Sequence, residues 1–487
     1  MPNADLLHSI VQPVNDRLSA LLAAYQWHPK LVGASVGLVQ VGETALLVGA
    51  LCATCAALEA ATSSGGEVRR DEWRAADALF AAAAMVALAL FVWSVRIPGG
   101  DITGLFERWD HIAFCAFAGY ALSRTSTDVR KWTLTTLSVY FVMHHTGWLP
   151  FVVVMGGALL GYVLLRVPAA EGPWPTALLQ GAVLLGIFGV TWPMRTSNLL
   201  AALRAQGAFG FVLLRHISFV VEARRGRSAR LTDYLCYMLF YPSFIGASEI
   251  YSEFSDRNLN GKPNYDYRAA AIKLILGQLQ LWASFQIEMS FSQVIQIRYA
   301  PVLWLSVLVL FVRSSLFVMG LWATIEGVAL LWGFRLRPNF AGILTCENPA
   351  QFWHSWRGTM TNWLVHYVYI PLGGNRRLQY RNIAAAFAVS TAWHWMGVPF
   401  FTLQPVLADF APIALWGALN ACAVVGYVAW RRRNVQVLPA QTPTFVRRGA
   451  KILLTACVST FTVTLLDFRP NTTALFLPFI RSLLGLE

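Results

Sequence analysis

Residues 299–334 read YAPVLWLSVLVLFVRSSLFVMGLWATIEGVALLWGF and carry only two charged side chains, Arg313 and Glu326. A membrane-spanning helix needs roughly 20 mostly apolar residues, and this run is longer than that. A helix with one face in water would carry a polar stripe, which is missing here. The run therefore predicts a transmembrane helix. Arg313 and Glu326 are compatible with a buried pair or with ordinary helical packing.

Similar runs recur along the chain and predict an all-α polytopic membrane protein. Runs with at most one charged residue are 45–58, 78–95, 132–165, 173–193, 232–248, 382–408, 410–430, 452–466 and 471–480. With weaker segments near 109–123, 208–221 and 270–297, they give roughly a dozen transmembrane or re-entrant helices. Gly147 and Pro150 lie near the middle of 132–165, which predicts two helices there. The shortest elements need burial in protein around a central cavity, because lipid cannot satisfy open backbone groups.

The composition supports a membrane protein. Charged residues make up 13% of the 487 residues, hydrophobic residues make up 56%, and the mean hydropathy is +0.51. A soluble domain usually carries about a quarter charged residues. The net charge is +13, and the basic residues cluster in short loops that mark the cytoplasmic side of a membrane. Because this charge is scattered over loops, we expect the lipid bilayer, and not nucleic acid, as the partner.

The N-terminal region carries two further features. Asp5, Asp16 and Arg17 interrupt any apolar core, so we expect no cleavable signal peptide. Residues 1–30 instead place their leucines on one helical face, which fits an interfacial amphipathic helix and an ordinary packed helix equally well. Cys52 and Cys55 lie in an apolar run without a second ligand pair, so we interpret them as packing residues. We expect no metal and no tightly bound cofactor.

A polar and aromatic segment follows the longest apolar run. Residues 335–381 are rich in Arg, His, Trp, Tyr and Asn but keep a helical apolar rhythm. Such a segment is too polar for lipid and too aromatic for a free loop. It predicts re-entrant, half-buried helices that line a water-accessible cavity. The polar connection before it, 249–268, is the longest in the chain.

His394 is the sharpest candidate for chemistry. It is the only ionisable side chain in the run 382–408. Ionisable groups at membrane depth are costly and are functional candidates by default. A neutral imidazole accepts a proton near neutral pH, which suits a general base. For a lone histidine, hydrogen bonding to a nearby carbonyl is the alternative interpretation.

A second group of candidates lies in the segment QFWHSWR, 351–357. His354 and Arg357 are three residues apart, which predicts that they are neighbours on one helix. The group admits two interpretations, an aromatic belt at the membrane interface with a snorkelling arginine or a wall of the active-site cavity. In the second, Arg357 meets an anionic or carbonyl group of the substrate. The substrate-binding or oxyanion candidates are Arg357, His354, Asn362, Trp353, Trp356, Trp393 and Tyr367.

Two segments carry a family resemblance. The stretch NPAQFWHSWRGTMTNWLVHYVYIPLGGNRR (348–377) resembles the motif of membrane-bound O-acyltransferases, in the branch of alginate O-acetylation and D-alanyl–teichoic acid transfer. That motif reads D-F-W-R-R-W-H-I-S-L-S and then W-F-R-D-Y-x-Y-I-P-L-G-G-N-R. Downstream, TAWHWMGVPFF (391–401) is similar to the family segment L-W-H-G-x-x-W-x-F. The resemblance extends from about 205 to the C-terminus and implies that His394 is the catalytic histidine.

The chain also departs from the family pattern. The second histidine of the family, in W-H-I-S, falls at Arg357, and the Asp of F-S-G-Y-S-D falls at Ala323. The segment G-P-I-x-R-Y is replaced around Glu249. These departures leave the acceptor open between a glycan and a lipid.

The resemblance implies transfer of an acetyl or other short acyl group from a thioester donor, acyl-CoA or an acyl carrier protein, to a hydroxyl of a cell-surface glycan or glycolipid. His394 is then the general base. The alternatives are a lipid acceptor, or a non-catalytic transporter or partner-dependent acyl relay. A periplasmic transferase is a further expected partner. The expected location is the bacterial inner membrane, with many passes.

The expected division of the chain has three parts. An interfacial helix occupies 1–30, and N-terminal transmembrane helices occupy 31–204. A catalytic core resembling the family occupies 205–487 and contains the re-entrant segment 335–381.

Overall fold

The computed structural model describes about two thirds of the chain. The described residues are 80, 82–83, 102–146, 148–164, 199–227, 229–244, 246–260, 263–397, 407–434, 445–465 and 475–486. The predicted interfacial helix at 1–30, the runs 45–58 and 173–193 and the pair Cys52 and Cys55 lie outside these residues. So does most of the run 78–95.

The described residues form helices and no strands. The helices are α1 Ile102–Leu105, α2 Trp109–Ser123, α3 Thr127–Thr146, α4 Trp148–Leu164, α5 Leu199–Arg224, α6 Leu231–Leu239, α7 Tyr251–Asn258, α8 Tyr267–Phe285, α9 Phe291–Val294, α10 Ala300–Leu331, α11 Pro349–Ser355, α12 Gly358–Leu364, α13 Gln379–Gly397, α14 Leu407–Asn434, α15 Phe445–Thr464 and α16 Phe476–Leu483. A π-helix, Val365–Tyr369, continues α12.

The predicted helical class is confirmed for the described residues, and the predicted break in the run 132–165 appears between α3 and α4. Two described helices are long and apolar enough to cross a membrane, α10 and the segment Ala411–Arg433 of α14. The count of a dozen membrane elements stays a prediction. The apolar run 232–248 is not one helix, because α6 ends at Leu239 and a 3₁₀ turn containing Pro242 follows. Pro242 has no backbone N–H for a continuing helix.

The polar connection 249–268 is also more ordered than its composition suggests. It contains the short helix α7, whose first turn carries Glu253 and whose last turn carries Arg257. Charges placed in this order complement the partial charges of the helix ends. Asp266 then caps α8 by accepting a hydrogen bond from the Ala269 backbone N–H at 2.9 Å.

Helices α8 and α10 pack closely through small residues. A Cβ added at Gly320 would lie 2.7 Å from the Gly277 carbonyl oxygen, and one at Gly277 would meet the Gly320 carbonyl oxygen at 2.8 Å. Arg313 and Glu326 do not form the buried pair that was one interpretation of the sequence, because they lie about 20 Å apart along one helix, at 1.5 Å per residue. Glu326 instead pairs with Lys273 of α8 at 2.5 Å.

Helices α13 and α14 form an antiparallel hairpin that holds the candidate histidine. A Cβ added at Gly417 of α14 would clash with the Thr391 hydroxyl and lie 3.1 Å from the Thr391 Cβ. The two helices therefore approach most closely within one turn of His394. At the other end of the hairpin, the Arg432 guanidinium lies 5.5 Å from the Tyr380 ring.

Candidate active site

His394 lies in the last turn of α13 and is half-buried. Its Nδ1 is 2.7 Å from the backbone carbonyl oxygen of Ser390. A carbonyl oxygen only accepts hydrogen bonds, so Nδ1 carries the proton of the neutral ring. Nε2 is then left with its lone pair free to take a proton. The hydrogen bond to a backbone carbonyl, which was the alternative interpretation of this histidine, is therefore present. It sets the tautomer in which Nε2 can act as a base.

Trp416 of α14 packs directly on the candidate base. The two ring centroids are 4.8 Å apart, and the indole is 1% exposed. The buried indole N–H has no hydrogen-bond acceptor among the described residues. Trp416 lies beyond the segment 391–401 that resembles the family, and no sequence spacing predicts its position beside His394. Only the crossing of α13 and α14 places it there.

Trp353 of α11 completes this aromatic group. Its ring lies 5.7 Å from that of Trp416 in a T-shaped arrangement. Its Nε1 donates to the Asn420 side-chain oxygen at 3.2 Å, and Asn420 donates to the Trp416 carbonyl at 2.7 Å. The hydrogen-bonded asparagine therefore ties α11 to α14 beside His394. The sequence did not predict that Asn420 links these two helices.

Arg357 occupies the junction between α11 and α12 and has a left-handed backbone, with φ 50° and ψ 50°. The predicted sharing of one helix face with His354 is wrong, because α11 ends at Ser355 and Arg357 lies in a left-handed turn before α12. The guanidinium carbon lies 6.0 Å from the Phe340 ring centroid. Trp353, four residues before Arg357, contacts Trp416, which packs on His394. Arg357 therefore lies on the segment that is joined to the candidate base through these two indoles.

His354 and Trp356 point elsewhere. His354 is exposed. Trp356 belongs to an apolar cluster in which its ring is 5.5 Å from that of Phe340 and 5.7 Å from that of Phe352. We therefore leave both out of the proposed chemistry. Trp356 helps to anchor the segment that contains Arg357.

Asn362 is engaged by a carboxylate. Its side-chain N–H donates to Glu253 of α7 at 3.0 Å, and Arg337 donates to the other oxygen of Glu253 at 2.8 Å. Burial disfavours the ionised carboxylate, but the Asn362 hydrogen bond and Arg337 outweigh this effect and lower the pKa of Glu253. The amide of Asn362 is therefore committed to joining α7 and α12, and we leave it out of the proposed oxyanion group.

Tyr367 and Trp393 both dock on α5. The Tyr367 hydroxyl lies 2.8 Å from the Ser218 hydroxyl and donates to Glu222 at 3.5 Å. The Trp393 ring packs so closely on Gly210 that an added Cβ would lie 2.9 Å from it. These contacts fix the π-helix and α13 against the same helix. Both residues belong to one apolar cluster that supports the helix carrying the candidate base.

The glycine-rich end of the motif forms a turn that starts α13. Tyr369 donates to the Asn375 side-chain oxygen at 2.5 Å. The Asn382 amide donates to the carbonyls of Gly374 at 3.0 Å and Arg377 at 2.6 Å. Gly373 and Gly374 adopt positive φ, which glycine tolerates best. These residues of the motif therefore set the direction of the helix that carries His394.

The described residues contain no group of three or more His, Cys, Asp or Glu side chains that could hold a metal ion. The arrangement instead offers a neutral imidazole with an available lone pair, a buried indole N–H beside it and a guanidinium on the neighbouring segment. Such a set can accept a proton and stabilise a negative oxygen.

A family model described as MBOAT, membrane-bound O-acyltransferase family, matches residues 117–411, which is more than half of the chain and includes Arg357 and His394. The chain is 25% identical to a peptidoglycan O-acetyltransferase of Helicobacter pylori over 207 residues, 39% of this chain and 36% of that protein. It is 22% identical to the probable alginate O-acetylase AlgI of Pseudomonas syringae pv. tomato over 253 residues, 47% of this chain and 49% of that protein. The match to the probable alginate O-acetylase AlgI of Pseudomonas aeruginosa is 30% over 129 residues, 23% of this chain and 25% of that protein. The chain thus spans half or less of the length of these relatives.

Proposed function

The chain belongs to the membrane-bound O-acyltransferase family, and from this premise we propose that it transfers a short acyl group from a thioester donor to a hydroxyl of a cell-surface glycan or glycolipid. The observation that carries the proposal is the hydrogen bond between His394 Nδ1 and the Ser390 carbonyl at 2.7 Å. It leaves the Nε2 lone pair available in a half-buried site.

The reaction starts at the acceptor hydroxyl. His394 Nε2 takes the hydroxyl proton as the oxygen attacks the carbonyl carbon of the thioester. The carbonyl oxygen becomes negative in the tetrahedral intermediate, and the Arg357 guanidinium stabilises it. The intermediate collapses by breaking the carbon–sulfur bond, and the protonated His394 returns the proton to the leaving thiolate. The products are an ester and a free thiol.

The donor and the acceptor arrive from opposite sides in this proposal. The basic ends of the α13–α14 hairpin favour a cytoplasmic location. Acyl-CoA and acyl carrier proteins are cytoplasmic donors, so we assign the donor to that side. The acceptor then reaches His394 from the outer side of a bacterial inner membrane, where a periplasmic transferase can pass the acyl group on.

The acceptor class follows from the relatives. Peptidoglycan and alginate are named in their descriptions, and both are polysaccharides. A glycan acceptor is therefore our first choice for this chain. A lipid acceptor or a partner-dependent relay is an alternative outcome of the test below.

The test is acceptor-dependent thiol release by the purified protein. A panel of acyl-CoA and acyl carrier thioesters is offered with a glycan fraction or a lipid fraction of the cell envelope. We expect turnover with the glycan fraction, and a loss of roughly 100-fold or more in the His394→Gln variant. The exposed His354 supplies the matched control, because His354→Gln removes a histidine that lies outside the proposed site.

Each result has a definite meaning. Turnover with the lipid fraction alone would move the acceptor to a lipid. Full activity in His394→Gln would exclude this histidine as the base. Absence of thiol release by folded wild type with every donor and acceptor would favour the relay or transport.

A further inference from the structure

The left-handed backbone of Arg357 needs a specific restraint. For a residue with a Cβ this conformation is sterically less favourable than the right-handed helix. Such outliers persist when the surrounding structure holds them, and they cluster at functional sites. The contacts that hold this turn are therefore informative about the position of the guanidinium.

The restraint comes from Asn339. Its backbone oxygen accepts from the Gly358 N–H at 2.7 Å. Its side-chain oxygen accepts from the Thr359 N–H at 3.1 Å and from the Thr359 hydroxyl at 2.7 Å. Its side-chain N–H donates to the Gly246 carbonyl at 2.8 Å. Asn339 is 1% exposed, and it joins the two residues that follow Arg357 to the loop before α7.

We propose that Asn339 is the positioning residue that keeps Arg357 aimed at the acyl carbonyl during transfer. The proposal rests on the proposed function of Arg357. A primary amide fits this place because it accepts at one end and donates at the other. An aspartate would lose the donor to Gly246, and a leucine of similar size would leave the Thr359 N–H buried without a partner.

The rest of the loop is anchored independently of Asn339. The Asn258 side chain accepts from the Arg335 N–H at 2.7 Å and donates to the Arg335 carbonyl at 3.3 Å. Glu249 accepts from the Arg337 N–H at 3.0 Å. Removing the Asn339 side chain therefore releases the turn at Arg357 without freeing the whole loop. Asn258 supplies a matched control, because it is a buried asparagine that anchors the same loop away from that turn.

The experiment is a double-mutant cycle on thiol release with Asn339→Ala, Arg357→Ala and the double variant. We expect Asn339→Ala to lower kcat by roughly 10- to 100-fold with little change in KM, because misplacement by about 1 Å costs rates of that order. In the Arg357→Ala background the same change should have no further effect on kcat. Asn258→Ala should keep kcat. Equal and additive losses in all backgrounds would overturn the proposal and leave Asn339 a residue of general stability.

Two further measurements keep the test decisive. Thr359→Val keeps the backbone hydrogen bond to Asn339 but removes the hydroxyl, so it gives a milder loss of kcat in case Asn339→Ala fails to fold. Hydrogen exchange at the Thr359 amide tests the restraint without any activity, because that amide bonds to the Asn339 side chain. We expect faster exchange there in Asn339→Ala and unchanged exchange in Asn258→Ala. Unchanged exchange in both variants would overturn the proposal. If exchange is faster in Asn339→Ala but the wild type shows no acyl transfer, only the proposed function is contradicted.

Discussion

At the scale of single residues, Arg357 and His394 owe their properties to backbone groups. The Ser390 carbonyl sets the tautomer of His394, and a left-handed turn directs Arg357. In the family pattern the position of Arg357 holds a second histidine. A guanidinium stays charged throughout the physiological pH range and cannot serve as a base. In the proposed reaction His394 is therefore the proton acceptor of the pair, and Arg357 has an electrostatic role.

The backbone of Arg357 yields a stability prediction. We expect Arg357→Gly to unfold at higher temperature than Arg357→Ala, because glycine adopts φ 50° without the steric cost of a Cβ. The difference in the free energy of unfolding should be about 1 kcal/mol. Thermal unfolding of both variants in detergent measures it. Equal stabilities of the two variants would mean that the turn is not left-handed. Both variants should lose acyl transfer, because both lack the guanidinium.

The Glu253 carboxylate yields a pH prediction. Its pKa is lowered in the folded protein, so its ionised form contributes stability that is present above the ordinary value of about 4.3. That contribution is lost as the pH falls through the lowered pKa. We expect the unfolding temperature to be insensitive to this group from neutral pH to about pH 5 and to decline in more acidic buffer. Glu253→Gln should flatten the acidic decline, and an unchanged decline would exclude Glu253 as its source.

At the scale of elements, the crossing of α13 and α14 decides the geometry of the candidate base. Gly417 allows the crossing next to Thr391, and the crossing brings Trp416 onto His394. The turn from 369 to 382 sets the start of α13 through Asn375 and Asn382. A change at either end of α13 should therefore alter the position of the candidate histidine.

The crossing can be tested with a pair of glycines on one helix. Alanine is favoured over glycine inside a helix by about 1 kcal/mol. Gly426→Ala should therefore be neutral or stabilising, because an added Cβ meets nothing within 4 Å. Gly417→Ala should lower both stability and kcat, because the new methyl group meets Thr391. Adding Thr391→Ala to Gly417→Ala should restore part of the loss, and its failure to do so would place the defect elsewhere.

At the scale of the whole molecule, the charges are distributed unevenly. The six exposed arginines at the open end of the α13–α14 hairpin have no ion-pair partner among the described residues: Arg376, Arg377, Arg381, Arg431, Arg432 and Arg433. Short basic segments of this kind mark the cytoplasmic side. His394 lies 15 residues beyond the start of α13, or about 22 Å along the helix at 1.5 Å per residue. If α13 crosses the bilayer, we expect the candidate base to lie within the hydrocarbon region.

The orientation predicts the outcome of a labelling experiment. We expect a membrane-impermeant thiol reagent to modify an Arg432→Cys variant in inside-out vesicles but not in intact spheroplasts. The parent chain, which has seven natural cysteines, gives the background. Labelling only in spheroplasts would invert the orientation and move the donor to the other side of the proposed reaction.

The sequence alone determined the helical class and the choice of His394. Both depend on local composition, because long apolar runs leave few structures that satisfy the backbone in lipid and a lone imidazole in such a run stands out. The break of 132–165 into two helices also follows from local residues, Gly147 and Pro150.

Only the tertiary structure decided which side chains meet. It separated His354 from Arg357 by ending α11, paired Glu326 with Lys273, turned Asn362 to Glu253 and brought Trp416 onto His394. Each of these depends on contacts between elements that are distant in the chain, or on the left-handed turn at Arg357, which helical periodicity does not predict. A helical spacing rule presumes that the helix continues, and at Arg357 it does not, because Asn339 holds the following turn from another part of the fold.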